Sequence, residues 1–209
     1  MADEEVYIGK FPSDGRHVKS GKIDWESPGW REIKNRQMPP PETLPLPIYA
    51  GERMQRFERL PPAFIAAAFL ACRPLADVFR QFDLGNGYVV PVQLYRFAKV
   101  TPETPEMELV DVDYHMVSLS QKKQCFLPSE STQVRRSRYD SGPNAPWNVL
   151  DVEDDDIAVS AAALDGADLW HDPILPTPLF LKGRVVKAFK KAGYGKVYRF
   201  VKCRILPDQ

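Results

Sequence analysis

Proline punctuates this chain more heavily than any other residue type and limits it to short elements. Twenty of the 209 residues are proline, and nine of those fall between Pro12 and Pro62, with Pro39-Pro40-Pro41 and Leu44-Pro45-Leu46-Pro47 at the centre. Each proline removes a backbone donor and pushes the residue before it toward extended conformations, so no helix is expected from Met38 to Pro47. The same stretch carries Trp25, Trp30, Ile33, Ile48, Tyr49 and Phe57, all of which need burial. Residues 1–59 are therefore expected to form a proline-rich extended arm packed on a core domain of residues 60–209.

Beyond Leu60 the punctuation becomes regular. Ala63 to Ala71 is a run of small and apolar residues that suits a buried strand or the start of a helix. Pro74 fits the first turn of a helix whose Leu75, Val78, Phe79 and Phe82 follow i, i+3, i+4, i+7, with an exit at Gly85-Asn86-Gly87. Tyr88 to Phe97 reads as a strand, where Pro91 argues for an edge or a bulge. Thr101 to Pro105 is a turn, and Val110, Val112, Tyr114 and Met116 then alternate as in a half-buried strand. Ile157-Ala158-Val159 is a short strand, followed by Ser160 as a helix cap and an alanine-rich turn closed by Gly166. Leu179-Phe180-Leu181 leads into a helix carrying Val185, Val186, Ala188, Phe189 and Ala192, closed by Gly193. Val197 to Leu206 is a terminal strand. The strand–helix–glycine–strand unit that starts at Phe69 is echoed at Leu179, with Phe79 and Phe189 in matching places. An internal duplication and a chance likeness of two amphipathic helices both fit. Strands and helices alternate too irregularly for a doubly wound sheet. The expected class is α+β, a mixed or antiparallel sheet with a few short helices.

Composition narrows the function classes. Twenty-eight basic and 28 acidic residues cancel to a formal charge of zero, which excludes a uniformly basic nucleic-acid binder and a uniformly acidic solvating chain. The 44% of hydrophobic residues is ordinary for a globular chain and enough for a real core. No run reaches the length of about 18 apolar residues that a membrane span needs. The opening Met-Ala-Asp-Glu-Glu has no apolar signal region. Cys72, Cys125 and Cys203 are widely spaced and odd in number, which points to free thiols in a reducing compartment and so to the cytoplasm.

Catalytic patterns are weak. His17, His115 and His171 have no second ligand type at zinc-motif spacing. Ser160 lacks a G-x-S-x-G frame, and neither Gly9-Lys10 nor Gly85-Asn86-Gly87 completes a phosphate loop. Cys72 stands where a helix begins and its thiol is open to activation there, although burial as a small hydrophobe is the competing reading.

Charge is more informative in its distribution. Nine acids and no lysine or arginine lie from Tyr139 through Asp172, and nine bases and no acid from Lys182 through Arg204. A smaller basic group is Arg135, Arg136 and Arg138. The blocks can face each other or form solvated faces, or the acidic block can dock on a basic partner such as the mouth of a nuclease. A third reading, nucleic-acid binding by Lys182 to Arg204 with Tyr194, Tyr198 and Phe200, is weaker because those aromatics suit a core and the pI is about 6.8.

Asp155-Asp156-Ile157-Ala158-Val159-Ser160, Gly166-Ala167-Asp168-Leu169-Trp170, Asp172-Pro173, and Leu179-Phe180-Leu181 with a helix ending at Ala192-Gly193 together resemble one bacterial family. It is the polymorphic-toxin immunity family first catalogued as a domain of unknown function and typified by a myxobacterial immunity protein. The Leu75 to Phe82 helix and the Pro91-Val92 strand are also similar to it, so the resemblance spans about residues 60–206. Lys182-Gly183 and Cys72-Arg73-Pro74 depart from the pattern at the two helix starts. The resemblance implies a non-enzymatic protein, without catalytic residues, metal or cofactor, that protects its producer by binding a toxin delivered by contact or by type VI secretion. The expected partner is that cognate toxin, with no nucleic acid and no membrane. Glu153, Asp154 and Asp155 are the candidate acidic contact element, and Trp147 in the Pro-Asn-Ala-Pro-Trp loop is the candidate apolar anchor, or else a loop-tethering core residue. The alternatives are an adaptor or chaperone for a secreted effector and an enzyme that reverses a toxin's modification.

Overall fold

The computed structural model describes residues 4–10, 21–22, 25–35, 37–50, 60–66, 68–99, 106–110, 113–137 and 145–207. In chain order the strands are β1 (Val6–Lys10), β2 (Gly21–Lys22), β3 (Leu46–Ala50), β4 (Ala63–Ala66), β5 (Ala68–Cys72), β6 (Tyr88–Lys99), β7 (Glu106–Leu109) and β8 (Tyr114–Ser118). They continue as β9 (Val134–Arg136), β10 (Trp147–Val149), β11 (Ala158–Ser160), β12 (Leu169–Asp172), β13 (Leu175–Lys182), β14 (Arg199–Lys202) and β15 (Arg204–Leu206). The helices are α1 (Trp30–Lys34), α2 (Arg73–Phe79) and α3 (Gly183–Lys191). The fold is α+β and mostly sheet, mixed and antiparallel. None of the described helices is long and apolar enough to cross a membrane.

The chain divides into two compact units. An internal unit holds residues 13–80 and 88–118, and a terminal unit holds 1–12, 81–87 and 119–209. This division cuts across the expected boundary at residue 60. Residues assigned to the arm supply strands to both units: β1 lies between β13 and β14, and β3 runs parallel to β6. Trp30, Leu46 and Ile48 are fully buried in the internal core beside Phe64, Leu70, Tyr114 and Met116. Trp30 also donates its indole N–H to the Pro47 carbonyl at 2.9 Å. Burying such side chains is worth about 1.5–3 kcal/mol each, which explains why a proline-rich segment is held in place. Trp25 stays 41% exposed against the edge of Trp30, and Phe57 lies outside the described residues.

The internal sheet runs β2-β3-β6-β8-β5-β4, with β7 also paired to β6. Ala63 to Ala71 forms two strands, β4 and β5. Strand β6 is interior, not an edge as Pro91 suggested. Its ladder with β3 starts only at Val92, so Pro91 is paired on one side alone, with His115 of β8, and its missing donor is tolerated. Strand β8 is buried at Tyr114, His115, Met116 and Val117 alike, because it has a neighbour strand on each side and is covered on both faces. The Thr101 to Pro105 turn lies outside the described residues.

In the terminal unit the sheet order is β12-β13-β1-β14, accompanied by the pairs β9–β10 and β11–β15. Its core gathers Val6, Ile8, Phe126, Val152, Ile157, Val159, Trp170, Phe180 and Val201.

One module recurs in the two units. The internal order β4-β5-β8-β6 and the terminal order β12-β13-β1-β14 are antiparallel at every step, and α2 follows β5 as α3 follows β13. Registers agree as well. Met116 stands opposite Leu70 on one side and Val90 on the other; Ile8 stands opposite Phe180 and Val201. Phe64 opposes Leu70 as Trp170 opposes Phe180. The helix starts carry matching backbone bonds. Cys72 N–H donates to Pro62 at 2.8 Å and Arg73 N–H to Asp113 at 2.9 Å, while Lys182 N–H donates to Asp168 at 3.0 Å and Gly183 N–H to Glu5 at 2.7 Å. Phe79 and Phe189 are both fully buried. The echo at Leu179 is thus a structural repeat, with the third strand supplied by the N-terminal segment in one copy and by β8 in the other.

Candidate functional site

Most charges of the two opposed blocks hold the terminal unit together. Asp168 is buried and accepts the Arg184 Nε–H at 2.8 Å and the Asp83 backbone N–H at 2.9 Å, with the Lys182 ammonium at 3.8 Å. This bond to Asp83 explains why α2 ends at Phe79 and does not run on through Phe82: residues 81–87 leave the helix and join the terminal unit. Asp172 is also buried and accepts three backbone N–H groups, from Cys125 and Phe126 at 2.8 Å each and from Ile174 at 3.0 Å. Asp151 pairs with Arg199 at 3.0 Å, and Lys202 reaches Glu5 at 2.9 Å.

Glu153, Asp154 and Asp155 are all exposed. They sit on a built loop that covers the open edge of β14. Asp154 accepts the Lys202 backbone N–H at 2.8 Å, and the Asp155 N–H donates to the Lys202 carbonyl at 2.9 Å. Asp155 takes a left-handed φ of 69°, and Asp156 accepts the Glu153 N–H at 2.8 Å and the Thr132 hydroxyl. Those bonds hold the Asp156 carboxyl below its ordinary value. The loop therefore blocks an edge that would otherwise offer unpaired backbone groups. Asp154 is committed to this task, while Glu153 and Asp155 present their carboxylates without an ion pair to any described residue.

Trp147 is half-buried on β10. It packs edge-on to Phe126 with centroids 6.4 Å apart, lies beneath the Arg136 guanidinium at 5.5 Å, and donates its backbone N–H to Ile174 at 2.6 Å. The tether role is visible in these contacts, and part of the ring stays exposed. Trp170 is a core residue, stacked on Phe180 at 5.6 Å with the Lys123 ammonium 3.8 Å from its ring centre.

The chemically tempting groups are occupied structurally. Cys125 and Cys203 are buried and burial raises both thiols, Cys125 to about 11, so they stay protonated at neutral pH. Cys72 precedes α2 half-buried and makes no side-chain cap bond. Ser160 likewise precedes a short 3-10 turn, Ala161–Leu164, without a side-chain cap bond, and the turn's exit is held from outside. The Lys123 ammonium donates to the Ala163 carbonyl at 3.0 Å and Lys182 to the Gly166 carbonyl at 2.7 Å. His115 and His171 are held below their ordinary value by burial. His17 lies outside the described residues.

No protein-family model and no curated protein matches the chain.

The basic block keeps a concentrated cationic face along α3, in which Arg184 is paired with the buried Asp168. Arg184, Lys187, Lys190 and Lys191 are the exposed residues at the start, middle and end of α3, and Lys196 follows on the loop beyond. Among the described residues no carboxylate pairs with Lys187, Lys190, Lys191 or Lys196. Counting charge along the sequence placed these lysines in one block with Arg199 and Lys202. Only the fold separates the bonded from the unbonded, and helical spacing groups the latter: Lys187, Lys190 and Lys191 stand at i, i+3 and i+4 and share one face.

Proposed function

We propose that this protein is an immunity protein that binds and neutralises a cognate bacterial toxin in the cytoplasm of its producer. The observation that carries this reading is the likeness of Asp155–Ser160, Gly166–Trp170, Asp172-Pro173 and Leu179–Gly193 to the immunity family described above. These segments correspond to β11, β12, β13, α3 and the buried Asp168 and Asp172, so this part of the likeness falls on residues of the terminal unit. A binding role is further supported by how the acids and thiols are used: Asp168 and Asp172 accept structural bonds, and Cys125 and Cys203 are buried and protonated. Neutralisation by occlusion needs an exposed, charge-focused surface, not an activated side chain.

Co-expression with the product of the neighbouring reading frame, in a host lacking both genes, tests this. The expected result is that the neighbour alone stops growth, that this protein restores it, and that the two purify as a complex. Restored growth without a complex would favour an enzyme that reverses the toxin's damage. A complex with a harmless neighbour would favour an adaptor. Either result would overturn the immunity reading.

A further inference from the structure

We propose that the basic outer face of α3, centred on Lys187, Lys190 and Lys191, is the surface that receives the partner, and that the partner meets it with an acidic protein surface. This rests on the immunity reading and names the chemistry of its contact. The repeat supplies an internal control. With Phe79 matched to Phe189, Asp77 occupies the place of Lys187, Arg80 that of Lys190 and Gln81 that of Lys191. The outer face of α2 neutralises itself: Arg80 pairs with Asp77 at 2.6 Å and Arg73 with Asp113 at 3.1 Å. The same strand–helix–strand architecture therefore forms without an uncompensated cationic face.

Helix electrostatics explain only part of the α3 pattern. Cations near a helix C-terminus are favourable, which accounts for Lys190 and Lys191 as it does for Arg80. Lys187 sits mid-helix, where its counterpart is an acid. Its charge acts on Glu5, which is already bonded to Lys202. Three ammonium groups on one rigid helix repel each other and gain from an acidic counter-surface.

The apolar side of the helix decides between an acidic protein and a nucleic acid. Phe189 packs against Tyr198 at 5.8 Å and Phe200 at 5.9 Å; Phe189 and Tyr198 are buried and Phe200 is half-buried, so these rings are spent on core packing and form a poor platform for base stacking. What remains is a row of compact cations on a helix, suited to carboxylates.

The test uses the full-length protein and the co-expressed neighbour product, with affinity measured at about 50 and 300 mM salt. K187E/K190E/K191E is expected to weaken binding by roughly 100-fold, and K187Q/K190Q/K191Q by roughly 10-fold. The native affinity should fall with salt and the variants should respond less. All three substituted side chains are exposed, so the urea midpoint should stay at the native value. Native binding with both triple variants unaffected would overturn this surface and leave the immunity reading standing. Loss confined to the comparator E153K/D155K would overturn it in favour of the acidic loop. If the lysine variants lose affinity for a 20-base-pair DNA duplex and not for the neighbour product, a polyanion contact replaces the protein one. Absence of native binding to the neighbour would defeat the immunity reading and this proposal together.

Discussion

The two modules share a plan and differ in what they wear. In the internal copy the four strands β4, β5, β6 and β8 come from one continuous stretch, residues 63–118. In the terminal copy β12, β13 and β14 come from residues 169–202, and the third strand is β1, from the other end of the chain. Opposed pairs are nevertheless the same kind of residue: Phe64 with Leu70 and Trp170 with Phe180, Met116 with Val90 and Ile8 with Val201. Apolar pairing across strands preserves register whichever way the chain is threaded, since a slip of one residue would turn each core face to water. The polar positions are free to diverge. Pro62 has Asp168 as its counterpart, a half-buried Cys72 has the buried Lys182, and a neutralised α2 has a cationic α3.

The strongest way to break this comparison is to remove its shared anchor. Phe79→Ala and Phe189→Ala should each cost about 3–5 kcal/mol, the usual loss for a fully buried aromatic. Urea unfolding would show it, and a loss below about 1 kcal/mol at either position would mean that the two helices are not equivalent anchors. A next, one-sided effect tests the divergence. Asp168→Ala strips Arg184 and the Asp83 N–H of their acceptor and should cost about 2–3 kcal/mol, less than a fully buried pair because Arg184 keeps 45% of its side chain in water. A cost near zero would show that the buried carboxylate is dispensable to the terminal module.

Smaller again is the helix exit. Gly193 adopts a φ of 83° with open space where a Cβ would stand, so Gly193→Ala should cost about 1 kcal/mol through backbone conformation alone. No described residue at the α2 exit has a positive φ before Gly85, so Asp83→Ala should show no such conformational cost. The mildest effect is on pH dependence. Burial outweighs Asp113 and Asp77 at His115 and also dominates at His171, lowering both imidazoles in the fold. The unfolded chain then binds these protons first. Stability is full above about pH 6.5 and declines as pH falls through that value toward the folded values. His115→Gln should flatten the decline by the internal unit's share, and an unchanged slope in urea midpoints from pH 7 to about 5 would contradict it.

The elements that carry local patterns were legible in the sequence. Pro74 marked the start of α2, Gly193 the exit of α3, and Phe79 and Phe189 the echo between them. Long-range pairing was not. Nothing local to Val6–Lys10 distinguishes a strand strapped over a sheet from one inserted between β13 and β14, because its pattern of burial is the same in either case. The end of α2 is set at long range too: Phe82 has helical spacing, but Asp83 is drawn away by the distant Asp168. Neither Lys182-Gly183 nor Cys72-Arg73-Pro74 uses a capping side chain; carbonyls of residues that lead into neighbouring strands, Pro62 and Asp113 in one unit and Asp168 and Glu5 in the other, take the N–H groups at each helix start. At the candidate site, charge counting located both blocks and could not tell a lysine bonded across the sheet, such as Lys202, from a free one such as Lys187.

Hydrogen–deuterium exchange of the full protein, alone and saturated with the neighbouring gene's product, tests the central claim most directly. The account predicts new protection on α3 and the segment through Lys196, with α2 exchanging at the same rate in both states. Protection of α2 in place of α3, or no change in α3 on complex formation, would contradict it.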